Sequence, residues 1–206
     1  MIEVGTGRDL SKQERSWRAE RMTKRIEKIP GSEGSFPSAA GSAHDHSAKR
    51  AVKARCAVLT ISDSRSFDTD ESGRSIRGLL EASGHGVIHY DIIKNDPHVL
   101  QTEVSQLLDQ DLDLIITTGG TGISRKDFTI ETLQPMLDKR LDGFGELFRH
   151  LSFREIGSRA FMSRALGAVA KGKILFALPG STHAVELALR ELILPELGHL
   201  LWEVNR

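Results

Sequence analysis

Leu114-Ile115-Ile116-Thr117-Thr118-Gly119-Gly120-Thr121-Gly122 is an apolar run that passes without a break into a loop of glycines and threonines. The apolar half reads as a fully buried strand. In the polar half, glycine lets the backbone turn sharply and approach a ligand closely, and free N–H groups and hydroxyls are what phosphate oxygens accept from. The loop lacks the Gly-Lys-Ser/Thr ending of a Walker loop and the spacing of the dinucleotide fingerprint. By itself a glycine-rich strand end is as often a plain tight turn, so its meaning depends on its neighbours.

Outward from that loop, short apolar runs alternate with amphipathic segments. Residues 57–61 read as a strand, 72–83 as a helix presenting Ile76, Leu79 and Leu80, 86–93 as a second strand, and 96–108 as a helix presenting Val99, Leu100, Val104 and Leu107. The buried strand itself is read over 112–117. Strand–helix alternation of this kind implies an α/β fold with parallel strands and right-handed crossovers. Beyond helices expected around 129–137 and 144–153, the runs 164–170 and 174–178 are joined by Lys171-Gly172-Lys173 and read as a hairpin added to the main sheet. The last helices start after Pro179-Gly180-Ser181 and are expected to break or kink near Pro195.

Three strand ends direct small polar residues to one rim, which is where open α/β sheets bind ligands. One is the Gly119 loop. The second is Ser62-Asp63-Ser64, leading through Asp68, Asp70 and Glu71 to Ser72-Gly73 at a helix start, where anion binding and plain capping are equally good readings. The third is Pro179-Gly180-Ser181-Thr182. Asp127 lies between the glycine loop and a helix expected to be capped by Thr129, and a carboxylate there can hold Mg²⁺ against phosphates or merely close a turn. Asp96 is followed by Pro97, and on the residues alone an N-cap is its stronger reading.

Composition narrows the classes. Formal charge is zero overall, yet residues 1–55 carry about +5 and the remainder about −5, so the first 53 residues read as a disordered basic tail preceding a domain at 54–206. A short helix between Ser11 and Ile29 is conceivable, with Trp17, Met22, Ile26 and Ile29 at helical spacing, but only against a partner surface. Interspersed glutamates and few aromatic residues argue against nucleic acid. No apolar stretch is long enough for a membrane span or a secretory signal, and the single Cys56 cannot form an internal disulfide, so a cytoplasmic location is expected. The eight histidines show no metal-ligand spacing, and no Gly-x-Ser-x-Gly elbow supports a hydrolase triad.

Taken together, Thr117-Thr-Gly-Gly-Thr-Gly122, Asp127, Gly143-Phe-Gly-Glu-Leu-Phe-Arg149, Ser163-Arg-Ala165 and Leu178-Pro-Gly-Ser181 resemble the MoaB/Mog family, and more closely its MoaB branch, in order and spacing over residues 54 to 200. The resemblance implies a three-layer α/β/α fold with a mostly parallel, doubly wound sheet and a small hairpin addition. It implies a trimer or hexamer that binds molybdopterin and, in active members, transfers AMP from ATP to the terminal phosphate of molybdopterin with Mg²⁺, releasing pyrophosphate. It places the catalytic and metal-holding carboxylates at Asp96 and Asp127. The binding pocket falls on Gly119, Gly120, Thr121 and Gly122, closed by Ser62, Asp63, Ser72, Pro179, Gly180 and Ser181. A molybdenum insertase is the implied downstream partner. The chain departs from the family pattern at Lys126-Asp127-Phe128-Thr129-Ile130, where many members have Arg-Asp-x-Thr-Pro, and at Asn95-Asp96, where Pro-Asp is common. A lysine is a point charge rather than a planar fork, so nucleotide phosphate contacts are weakened in this reading. The alternative is a molybdopterin-binding or scaffold protein of the same pathway that does not adenylylate.

Overall fold

The computed structural model describes residues 53–206; the tail and the helix considered between Ser11 and Ile29 lie outside the described residues. β1 (Arg55–Ile61) is followed by α1 (Glu71–Ala82), β2 (Gly86–Ile93), α2 (Pro97–Leu108) and β3 (Leu114–Thr118). Next come α3 (Thr129–Leu133), β4 (Lys139–Arg140), α4 (Asp142–Ile156), β5 (Leu166–Ala170) and β6 (Lys173–Leu178). The chain closes with α5 (Thr182–Ala188) and α6 (Leu194–Asn205). The strands form one six-stranded sheet in the order β2-β1-β3-β6-β5-β4. β1 pairs in parallel with β2 and β3, and β3 with β6, whereas β5 is antiparallel to both β6 and β4.

Why the strands read as unbroken apolar runs follows from the two cores. Cys56 and Val58 of β1 project into a cluster with Ile76 and Leu80 of α1, Phe148 of α4, Val185 of α5 and Leu197 of α6. Ala57, Leu59 and Ile61 project to the other face, against Leu100, Val104 and Leu107 of α2 and Leu133 of α3. Helices therefore cover both faces, and the period-two alternation of a half-wet strand never appears in the sequence. Burial pushes the Cys56 thiol, further opposed by the charge of Asp113, up to about 12, as befits a small core hydrophobe.

Element boundaries fall within a few residues of the sequence reading, with three differences. The helix expected over 129–137 is a single α turn continued as a 3₁₀ turn over Gln134–Met136, where Pro135 removes a ladder donor. Near Pro195 the helix does not break: α5 runs through a π turn at Leu189–Ile193 into α6, and that wider turn absorbs the missing N–H. β4, two exposed residues long, has no sequence signature. The β5–β6 hairpin turns on Lys171 and Gly172, both at positive φ (47° and 71°), as a two-residue turn of the primed type requires.

Candidate functional site

All three expected loops emerge at the carboxyl ends of β1, β3 and β6, which lie side by side, and hydrogen bonds lock them together. The Gly119 N–H donates to the Leu178 carbonyl at 3.0 Å, and the Thr118 hydroxyl donates to the Pro179 carbonyl at 2.9 Å. A Cβ on Gly180 would lie 3.4 Å from the Gly119 Cα, and one on Gly119 only 2.4 Å from the Ile61 carbonyl oxygen, so the loops meet backbone to backbone. Gly119 and Gly120 both hold positive φ, at 106° and 63°. Among the described residues the N–H groups of Gly120, Thr121 and Gly122 reach no acceptor, which leaves consecutive donors open at a strand end.

The two aspartates are brought to the same rim by a single asparagine. Asn95, at the end of the β2–α2 connection, takes a hydrogen bond from neither neighbour but gives two: its backbone N–H donates to Asp63 Oδ1 at 3.1 Å and its Nδ2 donates to the Lys126 carbonyl at 2.6 Å. The loops carrying Asp63, Asp96 and Asp127 are thereby stitched into one edge. Asp96 is the N-cap of α2, with Oδ1 accepting from the N–H groups of His98 (2.8 Å) and Val99 (3.1 Å). Asp127 Oδ2 accepts from the Ser124 N–H at 2.7 Å, which closes the turn ahead of α3. The second oxygen of each carboxylate, Oδ2 of Asp96 and Oδ1 of Asp127, accepts nothing among the described residues. Two carboxylates with spare oxygens suit Mg²⁺ held jointly by protein and substrate phosphates. They do not suit an all-protein metal cage, and no group of three or more metal-ligating side chains exists among the described residues.

Thr129 differs from its expected role. It is the first residue of α3 rather than its cap, and its buried hydroxyl donates to the Gly119 carbonyl at 2.8 Å while its N–H donates to the Gly120 carbonyl at 3.1 Å. A helix start is thus pinned beneath the glycine loop. Several expected binding side chains are likewise committed to local structure. The Ser62 hydroxyl accepts from the Arg65 N–H, and the Ser181 hydroxyl caps α5 by accepting from the Ala184 N–H. Ser72 is fully buried, with its hydroxyl donating to Asp70. Gly119, Gly120, Gly122, Pro179 and Gly180 lie on the adjoining β3 and β6 loops, where they offer backbone rather than polar side chains.

The sequence reading assigned no site role to a cleft of about 530 Å³ beside this rim, lined by Glu146, Arg149, Phe161, Ser163, Arg164 and others. That volume is in the range of small-molecule sites. Arg164 joins the cleft to the rim: its guanidinium donates to the carbonyls of Thr121 (3.2 Å) and Asp127 (3.3 Å) and forms a two-pronged pair with Glu131. The Arg164 hydrogen bond holds the Glu131 carboxyl below the usual carboxylate range. Arg149 sits at the back and donates to the Ser163 carbonyl. Glu146, Arg149, Ser163 and Arg164 come from Gly143–Arg149 and Ser163–Ala165, quoted above for their spacing only. What joins them, a contact over 43 residues of sequence between Arg164 and Thr121, has no local signature.

Residues 57–199 match the family model described as "Probable molybdopterin binding domain". Molybdenum cofactor biosynthesis protein B of Staphylococcus aureus (strain COL) is 51% identical over 160 residues, covering 76% of this chain and 94% of that protein. A crystal structure of a molybdenum cofactor biosynthesis protein B superposes with a TM-score of 0.73 at 46% identity, covering 75% of this chain and 98% of the other. The tungsten cofactor synthesizing protein MoaB from Pyrococcus furiosus gives 0.68 at 33% identity, covering 75% and 98%. With the family model matched over most of the domain and relatives of this identity aligned over nearly their whole length, the chain belongs to the MoaB/Mog family of molybdenum cofactor biosynthesis proteins, in its MoaB branch.

Proposed function

We propose that this protein adenylylates molybdopterin: an oxygen of the terminal phosphate of molybdopterin attacks the α-phosphorus of ATP, and the bond to pyrophosphate breaks. The observation that carries this reading is the joining of open backbone N–H groups at Gly120–Gly122 to two half-engaged carboxylates, Asp96 and Asp127, on one stitched rim. The N–H groups would receive phosphate oxygens. The free oxygens of Asp96 and Asp127 would hold Mg²⁺, which when bound neutralises charge on the phosphates. No general base is needed, because a phosphate nucleophile is ionised at neutral pH. The remaining task is to hold the reactants in line, which contributes several kcal/mol in well-oriented reactions. The cleft beside Arg164 and Arg149 would take the pterin.

The functional form in this proposal is a homo-oligomer, trimer or hexamer. Phe153, Ile156, Phe161 and Met162, at the end of α4 and in the turn after it, are 58%, 52%, 77% and 38% exposed, a patch of the kind that association covers. We place the protein in the cytoplasm, passing its product to a molybdenum insertase; among the described residues no helix is long and apolar enough to cross a membrane.

The test is an assay of the full chain with molybdopterin, Mg²⁺ and ATP, following pyrophosphate and adenylylated pterin, with Asp127→Asn as the paired variant. Turnover that disappears in the variant while its thermal unfolding stays unchanged supports the reading. A second reading is favoured by one observation, that Asp96 already serves as a helix cap: the protein then binds molybdopterin without transferring AMP. Tight pterin binding with no pyrophosphate release would select it.

A further inference from the structure

Behind the rim lies a polar network that neither the glycine loop nor the aspartates use. Asp70 is fully buried, yet five donors surround its carboxylate. Oδ1 accepts from the Gly73 N–H (3.0 Å), the Ser72 hydroxyl (3.1 Å) and Arg65 Nη1 (3.2 Å), and Oδ2 from the Thr60 hydroxyl (2.5 Å) and the Tyr90 hydroxyl (2.7 Å). A Cβ on Gly73 would lie 2.2 Å from Oδ2, so the carboxylate is packed against bare backbone. Arg65 is the single cation touching it among the described residues. The other arm of that guanidinium, Nη2, donates to the Gly180 carbonyl at 2.9 Å, 115 residues away in sequence. Gly180 in turn lies against Gly119, at the root of the open N–H groups.

We infer that Arg65 is a positioning residue of the rim: anchored on buried Asp70, its fork sets where the β6–α5 loop sits against the Gly119 turn, and so fixes the shape of the phosphate-receiving edge. The argument is one of reach. The arginine fork bonds in two directions at once, to Asp70 and Ser72 on one side and to the Gly180 carbonyl on the other. A lysine keeps a positive charge near Asp70 but cannot span both sides. If Arg65 served only to neutralise a buried carboxylate, lysine would replace it without loss.

The inference rests on the adenylylation reading for its kinetic consequence but not for its structural one, and the experiment separates them. In the full chain, Arg65→Lys and Arg65→Met are compared with wild type by hydrogen exchange of the Ala184 and Val185 amides, which bond back to Ser181, and by KM for Mg-ATP and molybdopterin. Exchange at both amides should rise roughly tenfold in Arg65→Lys, the effect of losing one charge-assisted hydrogen bond. Amides of β1 and β3 should keep their protection. KM should rise by a similar factor with kcat changed less. Wild-type exchange and wild-type KM in Arg65→Lys would overturn the positioning role whatever happens in Arg65→Met, which is free to fail to fold. Faster loop exchange in a protein whose wild type shows no turnover would sustain the inference and sink the adenylylation reading.

Discussion

Replacing Gly120 by alanine tests how tightly the glycine loop is built. Gly120 sits at φ 63°, where an L residue costs about 1 kcal/mol. The added Cβ would lie 2.4 Å from the Thr129 hydroxyl oxygen and 3.4 Å from Asn95 Oδ1. Thr129 is fully buried and its hydroxyl serves the Gly119 carbonyl, so pushing it aside leaves a buried donor and acceptor unmatched, at about 2 kcal/mol. The sum is about 3 kcal/mol, or a fall in Tm of about 6–12 °C for a domain of this size. Calorimetry or urea unfolding measures it, and a double-mutant cycle with Thr129→Ala isolates its cause. Once the hydroxyl is gone, Gly120→Ala should cost only the backbone strain of about 1 kcal/mol, a coupling of about 2 kcal/mol. A coupling below about 0.5 kcal/mol would show that the Cβ meets no obstacle and refute the account of the loop.

Other outcomes follow from features elsewhere in the domain. Burial alone would raise the pKa of Asp70, but hydrogen bonds from Thr60, the Gly73 N–H, Tyr90 and Ser72 outweigh it and hold the carboxyl below its ordinary value. Its contribution is therefore complete above the unfolded-state pKa near 4 and is lost as pH falls through the lower folded-state value. Urea midpoints below about pH 4 should fall less steeply in Asp70→Asn, from a lower starting stability; parallel curves would contradict the assignment. Cys56, pushed up to about 12, should resist alkylation at pH 8 until the protein unfolds, as a timed thiol titration with and without urea would read. A chain beginning at residue 51 should unfold within about 1 °C of the full chain, since the first 50 residues lack core-forming composition. A large loss of stability would show that the tail contributes to the core.

The architecture was legible where one element carried its own evidence. β1 and β3 announced themselves as unbroken apolar runs because helices cover both faces, and Asp96-Pro97 marked the start of α2 through cap chemistry that the structure reproduces. Local rules failed where a distant partner set the outcome. Thr129 looked like a cap and is instead a tether to Gly119, ten residues back. Ser72, read equally as an anion site or as part of a cap, is sealed by Arg65 and Asp70. The cleft beside Arg164 was invisible for the same reason, since its walls come from segments that only the folded sheet brings together. Rim glycines could be picked out because backbone freedom is a property of single residues, whereas arginine bridges are properties of pairs.

The primed turn at Lys171-Gly172 also bears on how the sheet comes together in time. β5 and β6 are joined by those two residues alone, so their antiparallel pairing closes almost no loop and belongs among events of about 1–10 µs. Every parallel pairing in the sheet must first close a crossover, the longest being that between β3 and β6. The hairpin can therefore close at a lower entropic cost than any parallel pair, ahead of the docking of β3 on β6. The glycine loop, whose root is tied to the last residue of β6 by the Gly119–Leu178 bond, can take its final shape only once that docking is complete.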